Sequence, residues 1–230
     1  MNPHLTEIAY ILDRSGSMDS MQEPAISAFN AFIKAQLDVP GDARLTLIQF
    51  DDAYEVHVES TLIQEVRQLT AATYQPRGST ALLDAIGRTL HDTDTRLKSL
   101  PPEQRPGKVI FAIFTDGMEN ASHRYSAKHI SDLIRLYREE KGWEFLFLAA
   151  NQDAIATAAS MHMDTDSTTD VAFTAEAIRS TGGAMARKVR AMRMKSSGHM
   201  DAQAMEDDVK SMTQILKEEQ DKSGETKLKS

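Results

Sequence analysis

Apolar runs alternate with amphipathic stretches along residues 1–160 of the chain. A short apolar run at 8–12 precedes a stretch from about 20 to 37 in which Ala25, Phe29 and Phe32 recur at helical spacing. The strand-like runs 44–50 and 54–60 are joined by only three residues, "DDA". So short a link predicts an antiparallel hairpin, with the second run at the edge of a sheet.

The same alternation continues through the middle of the chain. A helical pattern starts at Leu82, and a nearly continuous apolar run, "KVIFAIFTD", follows a proline-rich loop. Such a run is typical of a strand buried on both faces of a parallel sheet. A helix around Ile130 and Ile134, a strand within 143–150 and a small-residue helix near 153–161 complete the series. The predicted fold class is α/β, a doubly wound and mostly parallel sheet with helices on both faces.

Beyond residue 163 the pattern becomes irregular. We expect a polar loop, one last short strand at 171–174, and a helix over 175–194 that is interrupted at Gly182 and Gly183. We assign residues 1–195 to one domain and 196–230 to a polar tail, whose last ten residues are expected to be disordered. Within the tail, a 4-3-4 spacing predicts an amphipathic helix over about 202–217, carried by Met205, Val209, Met212 and Leu216. This helix could dock on its own domain or bind a partner.

Composition narrows the classes of function. The chain has 230 residues and no cysteine, which excludes disulfides, thiolate metal sites and a cysteine nucleophile. A net charge of −8 argues against nonspecific binding of nucleic acid as the main activity. The beginning of the chain has no basic segment before its apolar run, and no stretch of 18 apolar residues occurs. We therefore expect a soluble, cytoplasmic protein with no membrane partner.

Oxygen-bearing side chains follow two of the predicted strands. Asp13, Ser15 and Ser17 come after the first strand, and Asp116 comes after the buried strand in "FTDGMEN". Thr80 lies where a loop enters a helix. Because open α/β sheets bind ligands at the carboxyl ends of their strands, these five side chains are candidates for one site. Carboxylates and hydroxyls are hard ligands that suit Mg²⁺ or Mn²⁺ rather than zinc or copper.

The three segments "DRSGS", "GST" and "TDG", in this order on a βα background, resemble the metal-ion-dependent adhesion site of the von Willebrand factor type A domain. The resemblance covers roughly residues 5–160 and is strongest to the stand-alone cytoplasmic type A proteins of bacteria and phages. It implies a Rossmann-like sheet in strand order 3-2-1-4-5-6, with strand 3 antiparallel. It also implies that Ser15, Ser17 and Thr80 ligate the metal, while Asp13 and Asp116 hold it directly or through water.

Each element also has a simpler interpretation. Ser15, Ser17 and Thr80 could be turn or helix-cap residues, and Asp116 before a glycine could belong to a turn. Their joint occurrence at one sheet edge favours the metal site. His123 lacks a partner at ligand spacing and is predicted to be a loop residue. Glu119 and Asn120 could cap the helix that follows them or orient water around the metal.

A basic cluster in the last long helix has two interpretations. It could bind phosphate, or it could be a solvated face paired with the acidic segment 206–208, which is the usual behaviour of charge runs. The cluster consists of Arg187, Lys188, Arg190, Arg193 and Lys195.

Two classes of function then compete. The first is a non-enzymatic, metal-dependent adaptor, in which the cation completes its coordination with a Glu or Asp of a partner protein. The family resemblance suggests a MoxR-type AAA+ ATPase as one possible partner. The alternative is a metal-dependent hydrolase or phosphotransfer enzyme that uses the same cation. The motifs G-x-S-x-G and G-x-x-x-x-G-K-[ST] are both absent, which favours the adaptor.

Overall fold

The computed structural model describes residues 1–117, 119–150 and 165–228, with four further residues between 151 and 164. Its strands form one six-stranded sheet in the order β3-β2-β1-β4-β5-β6. Only the β2–β3 pair is antiparallel. The hairpin and the edge position of its second strand are therefore confirmed. The strands are β1 (Asn2–Asp13), β2 (Asp42–Phe50), β3 (Tyr54–Leu62), β4 (Pro106–Thr115), β5 (Glu144–Ala149) and β6 (Thr168–Asp170).

Six α-helices are described around and after the sheet. They are α1 (Gln22–Leu37), α2 (Leu82–Ser99), α3 (Ala127–Lys141), α4 (Ala175–Ser197), α5 (Ala202–Val209) and α6 (Met212–Leu228). A short 3-10 helix, Gly16–Met21, connects β1 to α1. The small-residue helix predicted near 153–161 falls largely outside the described residues. In the described part of the chain, no helix is long and apolar enough to cross a membrane.

The central strand β1 divides the core into two layers. Ile8, Tyr10 and Leu12 face the layer that contains α1 and α4, whereas Ala9 and Ile11 face the layer of α2 and α3. Because successive side chains of a strand point to opposite faces, a run that is apolar throughout must be covered on both sides. This arrangement confirms the doubly wound architecture.

The last strand lies three residues earlier than predicted. The apolar segment 171–174 is not a strand, whereas the polar segment Thr168–Asp170 pairs in parallel with β5. Thr169 is buried in this pair. A strand of three residues at the end of a sheet needs few apolar side chains, so hydrophobicity indicated the wrong segment.

Helix α4 runs without a break through Gly182 and Gly183, so the predicted interruption is wrong. A Cβ atom on Gly182 would lie 2.1 Å from the carbonyl oxygen of Ala28 in α1. The glycine therefore allows the backbones of α1 and α4 to approach closely, which offsets its low helix propensity.

The tail forms two helices where one was predicted. The break falls at Lys210 and Ser211, and α6 continues to Leu228 through residues expected to be disordered. The predicted stripe is split as well. Met205 and Val209 are 56% and 82% exposed, whereas Met212, Ile215 and Leu216 are buried in the core cluster that includes α4. The second half of the tail therefore docks on its own domain.

The basic cluster of α4 is engaged inside the molecule. Arg187 pairs with Asp207 at 2.5 Å and with Glu218 at 2.7 Å. The Lys188 ammonium donates to the carbonyl oxygens of residues 207, 208 and 210 at 2.6 to 3.1 Å, where α5 ends. Arg193 donates to the carbonyl oxygen of Gln36 in the last turn of α1 and to carbonyl oxygens of the α1–β2 connection, including that of Gly41 at 2.8 Å. This finding supports intramolecular pairing over a phosphate-binding face.

Candidate metal centre

The sheet brings the proposed ligands of the two central strands to one edge. Strands β1 and β4 are parallel neighbours, with Leu12 opposite Phe114. Asp13 ends β1, and Asp116 follows the last residue of β4. Both carboxylates are buried, with exposed fractions of 0% and 3%. Two acidic side chains 103 positions apart in sequence therefore lie side by side at the carboxyl ends of the central strands.

Asp13 is held in a fixed orientation by hydrogen bonds. Its Oδ1 accepts from the backbone N–H of Ser15 at 2.7 Å, and its Oδ2 accepts from the Thr115 hydroxyl at 2.5 Å. Its carbonyl oxygen accepts from the Tyr74 hydroxyl, also at 2.5 Å. Thr115 and Tyr74 were not predicted from the sequence as parts of the site. The only signal for Thr115 was a hydroxyl at the end of a run that is otherwise apolar.

The two serines link the β1 end to Asp116. The hydroxyls of Ser15 and Ser17 lie 3.1 Å apart, and the Ser17 hydroxyl donates to Asp116 Oδ1 at 2.9 Å. Ser15 occupies the cap position of the 3-10 helix, yet its side chain makes no capping hydrogen bond. Ser15 is buried, and Ser17 is exposed at the surface of the edge. The capping interpretation therefore does not account for Ser15.

Thr80 reaches the same place from the loop before α2. It does not cap that helix, whose cap position is Ala81 and carries no side-chain cap. A Cβ atom on Gly117 would lie 2.6 Å from the Thr80 hydroxyl oxygen and 3.3 Å from Asp13 Oδ2. The two oxygens thus face one small space beside Gly117, which any larger residue would fill.

A buried ion pair positions the loop that carries Thr80. Arg14 Nε binds Asp51 Oδ2 at 2.9 Å, and Arg77 Nε binds the same oxygen at 3.0 Å. The backbone N–H of Arg77 donates to the carbonyl of Arg14 at 2.7 Å, and Gly16 N–H donates to the carbonyl of Gly78 at 3.1 Å. The loops 14–17 and 77–80 are therefore fastened together. Sequence reasoning passed over Arg14 although it lies inside "DRSGS".

Glu119 and Asn120 do not cap the helix that follows them. Glu119 Oε2 accepts from the backbone N–H of Leu83 at 2.8 Å, so it caps α2 and not the helix that follows it. Asn120 Oδ1 accepts from the backbone N–H of Thr80 at 2.9 Å. The helix α3 is capped by Ser126. His123 is an exposed loop residue, as predicted.

Burial and mutual repulsion disfavour the simultaneous ionisation of Asp13 and Asp116. Burial, with the negative charge of Asp13, raises the pKa of Asp116 to about 7. Burial also raises the pKa of Asp13, although hydrogen bonds from Thr115 and Ser15 oppose the shift. A cation placed between these groups would favour their charged forms.

The donor set suits a hard cation. Among the described residues, no group of three or more His, Cys, Asp or Glu side chains is arranged to hold a metal. The edge instead combines two carboxylates with three hydroxyls, and oxygen-only sets of this kind are those that Mg²⁺ and Mn²⁺ accept. Together with the space beside Gly117, the residues present fit such a cation. That these five residues bind a metal remains a prediction.

Known structures resemble the fold. The vWF domain of the type V pili tip protein Mfa5 from Porphyromonas gingivalis superimposes with a TM-score of 0.57 at 10% identity, covering 80% of this chain and 94% of that one. The pilus adhesin SpaC from Lactobacillus rhamnosus GG gives 0.57 at 14% identity in its open conformation, over 84% of this chain and 30% of that one. Proximal thread matrix protein 1 from the mussel byssus gives 0.54 at 15% identity, over 81% and 46%.

These comparisons concern the fold. No protein-family profile matches the chain, and no curated protein matches its sequence. The chain spans less than half the length of the mussel and Lactobacillus chains. Its strand order and its structural similarity to the Mfa5 domain show that the chain has a fold like that of a von Willebrand factor type A domain.

Proposed function

We propose that this chain is a metal-dependent protein-binding module and not an enzyme. The observation that carries the proposal is the pair of buried carboxylates, Asp13 and Asp116, placed with three hydroxyls at the carboxyl edge of the sheet. Burying two carboxylates side by side is costly unless a positive charge compensates them.

In this proposal, Asp13, Ser15, Ser17, Thr80 and Asp116 hold Mg²⁺ or Mn²⁺, directly or through water. The bound cation supplies a coordination position for an oxygen ligand from outside the chain. The residues of this chain hold the carboxylates in place, since Thr115 and the Ser15 N–H fix Asp13 and Ser17 orients Asp116. A Glu or Asp of a partner protein is the ligand that best balances the charge.

The family resemblance extends the proposal to the partner and the compartment. We propose a cytoplasmic adaptor of the bacterial or phage type, with a MoxR-type AAA+ ATPase as one candidate partner. One protein with a similar fold, SpaC, is named as a pilus adhesin, which agrees with an interaction module.

A Mn²⁺ titration of the full chain, followed by the loss of the free-ion EPR signal, tests the metal site. We expect one site per chain, and we expect Asp13→Asn to weaken binding at least about tenfold, which is about 1.4 kcal/mol. Asp19→Asn is the matched control, because Asp19 is an exposed carboxylate in the 3-10 helix that follows β1 and lies outside the proposed ligand set. Equal Mn²⁺ binding by the wild type and Asp13→Asn would refute the site.

The binding function is tested by pull-down from a native lysate with and without EDTA. The proposal requires a partner that is lost both with EDTA and with an Asp116→Ala bait. A partner that is retained under both conditions would contradict the metal-dependent adaptor.

A further inference from the structure

A cavity of about 270 Å³ lies beside the proposed metal centre and shares a wall with it. Ala81 lines the cavity and directly follows Thr80, one of the proposed ligands. Ala121 also lines it, and its backbone N–H donates to the carbonyl oxygen of Thr80 at 3.2 Å. A partner segment that placed a carboxylate at the metal would therefore pass over this cavity.

The cavity has an apolar floor and a charged rim, and one side is formed by an aromatic ring with a cation over it. Phe50, Ala81, Ala85 and Ala121 contribute carbon surface, and Tyr54 forms one side. The guanidinium of Arg88, which also lines the cavity, lies over the Tyr54 ring at 4.2 Å from its centroid. An aromatic side chain can lay its ring on such a floor and present its face to the guanidinium groups of the rim.

A second cation lies at the rim without an ion-pair partner. Arg124 is exposed and forms no salt bridge with any other residue that the structure describes. A cation within about 6 Å of an aromatic face is attracted to it, and Arg is the cation most often used in this way. Apart from His123, the charged side chains that line the cavity are two cations, Arg88 and Arg124, and two carboxylates, Asp52 and Asp84. With no excess of positive charge, the cavity does not select a second acidic residue.

The rim is held in place before any partner binds. Asp84 accepts hydrogen bonds from the backbone N–H groups of His123, Arg124 and Tyr125, each at 2.9 Å. Glu119 accepts from the N–H groups of residues 121 and 122. A pre-formed rim lowers the entropy cost of binding, so the cavity is suited to a defined side chain.

We propose that this cavity is a specificity pocket, which receives an aromatic side chain located within two residues of the partner's metal-binding carboxylate. This inference rests on the proposed function, because the carboxylate at the metal brings the partner segment to the cavity. The partner is thus recognised by an acidic residue next to a Phe, Tyr or Trp.

Labelled peptides provide the test, by fluorescence anisotropy with the full chain in millimolar Mg²⁺. Each peptide carries one Glu in a Gly/Ser background, with Phe one or two positions before or after it, and each has a counterpart with Ala or Glu in place of Phe. We expect at least one Phe peptide to bind about tenfold more tightly than its Ala counterpart, through burial of the ring. A Glu that matched or exceeded Phe would overturn the inference.

Filling the cavity is the second arm. Ala121→Leu and Ala53→Leu add bulk at two positions that line the cavity. Because Ala53 is exposed, Ala53→Leu should have little effect on folding. We expect each of these variants to bind the Phe peptide no more tightly than its Ala counterpart. The matched control, Ala35→Leu, adds the same bulk at an exposed position near the end of α1, at the opposite edge of the sheet, and should keep the preference for Phe.

The outcomes separate this inference from the proposed function. Binding that needs Mg²⁺ and the central Glu but is equal for Phe and Ala overturns the pocket and leaves the metal-dependent module intact. A preference for Phe that persists in EDTA and is lost in Ala121→Leu overturns the metal-dependent module while supporting the pocket. No binding by any peptide overturns both.

Discussion

The pH dependence of stability offers a direct test of the carboxylate pair. In the metal-free protein, the pKa of Asp116 is raised from an ordinary value of 3.8 to about 7. A raised pKa in the folded state means that the native protein binds the proton more tightly than the unfolded chain does. Stability from this group is therefore fully present below about pH 4 and is lost as the pH rises through about 7.

The size of the effect follows from the difference between the two pKa values. It corresponds to at most about 4 kcal/mol, a large part of the stability of an ordinary domain. Asp116→Asn removes the ionisable group and keeps an oxygen that can accept from the Ser17 hydroxyl. In EDTA at about pH 8, we expect the variant to be more stable than the wild type by up to about 4 kcal/mol. At about pH 4 the difference should fall below about 1 kcal/mol, because the wild-type carboxyl is then protonated.

Urea unfolding followed by tryptophan fluorescence measures these differences. Trp143 is the only tryptophan, is 5% exposed and stacks on Tyr137 with ring centroids 4.4 Å apart, so unfolding should change its emission. Comparing variant with wild type at each pH cancels the titration of shared groups that do not interact with Asp116. Saturating Mg²⁺ should reverse the order at about pH 8, because only the wild type keeps both carboxylates. The reasoning would be refuted if the difference in unfolding free energy between the wild type and Asp116→Asn were the same at both pH values.

Three further predictions concern the loop, the helix contact and the tail. Thr80→Ala should unfold within about 2 kcal/mol of the wild type in urea, since the hydroxyl caps no helix, yet bind Mn²⁺ at least about tenfold more weakly; insolubility would mean that Thr80 is structural. Gly182→Ala should lower the unfolding free energy by about 1 to 3 kcal/mol by forcing α4 away from Ala28. Gly183→Ala, whose Cβ would meet only a flexible glutamate side chain, is its matched control, and equal losses for the pair would contradict the close contact. A chain that ends after Ser196 should still fold and bind Mn²⁺ but melt at a lower temperature in calorimetry, because buried apolar surface under α6 becomes exposed. Failure to fold would mean that residues 1–196 do not form a stable domain without α6.

Much of the architecture was predictable because it depends on local rules. Every residue of the run around Phe111 and Ile113 is apolar. A strand needs such a continuous run only when both of its faces are covered. The short link between β2 and β3 allowed only a hairpin. Asp13, Thr80 and Asp116 each follow or precede such an element, so their meeting at one edge follows from the topology.

The errors arose where a distant contact decided the structure. Gly182 indicates a helix interruption on propensity alone, and nothing near it in sequence shows that the backbone of Ala28 will pass within contact distance. The spacing of Met205 and Met212 fits a single helix. The break between α5 and α6 depends instead on Lys188 of α4, whose ammonium binds the carbonyl oxygens at the end of α5. A new helix, α6, begins after this break. Hydrophobic spacing cannot contain that information.

The positions of β3 and β6 at the two ends of the sheet bear on self-association. A strand edge with unpaired N–H and C=O groups can pair with another molecule and lead to aggregation, so natural proteins protect such edges. Strand β3 carries exposed carboxylates at Glu55 and Glu59, and its pairing with β2 is irregular. Strand β6 is only three residues long, and α6 contacts it through the hydroxyls of Thr213 and Thr169, 3.1 Å apart. The short length of β6 and its contact with α6 therefore limit strand addition at one end of the sheet, as charge and irregular pairing do at the other.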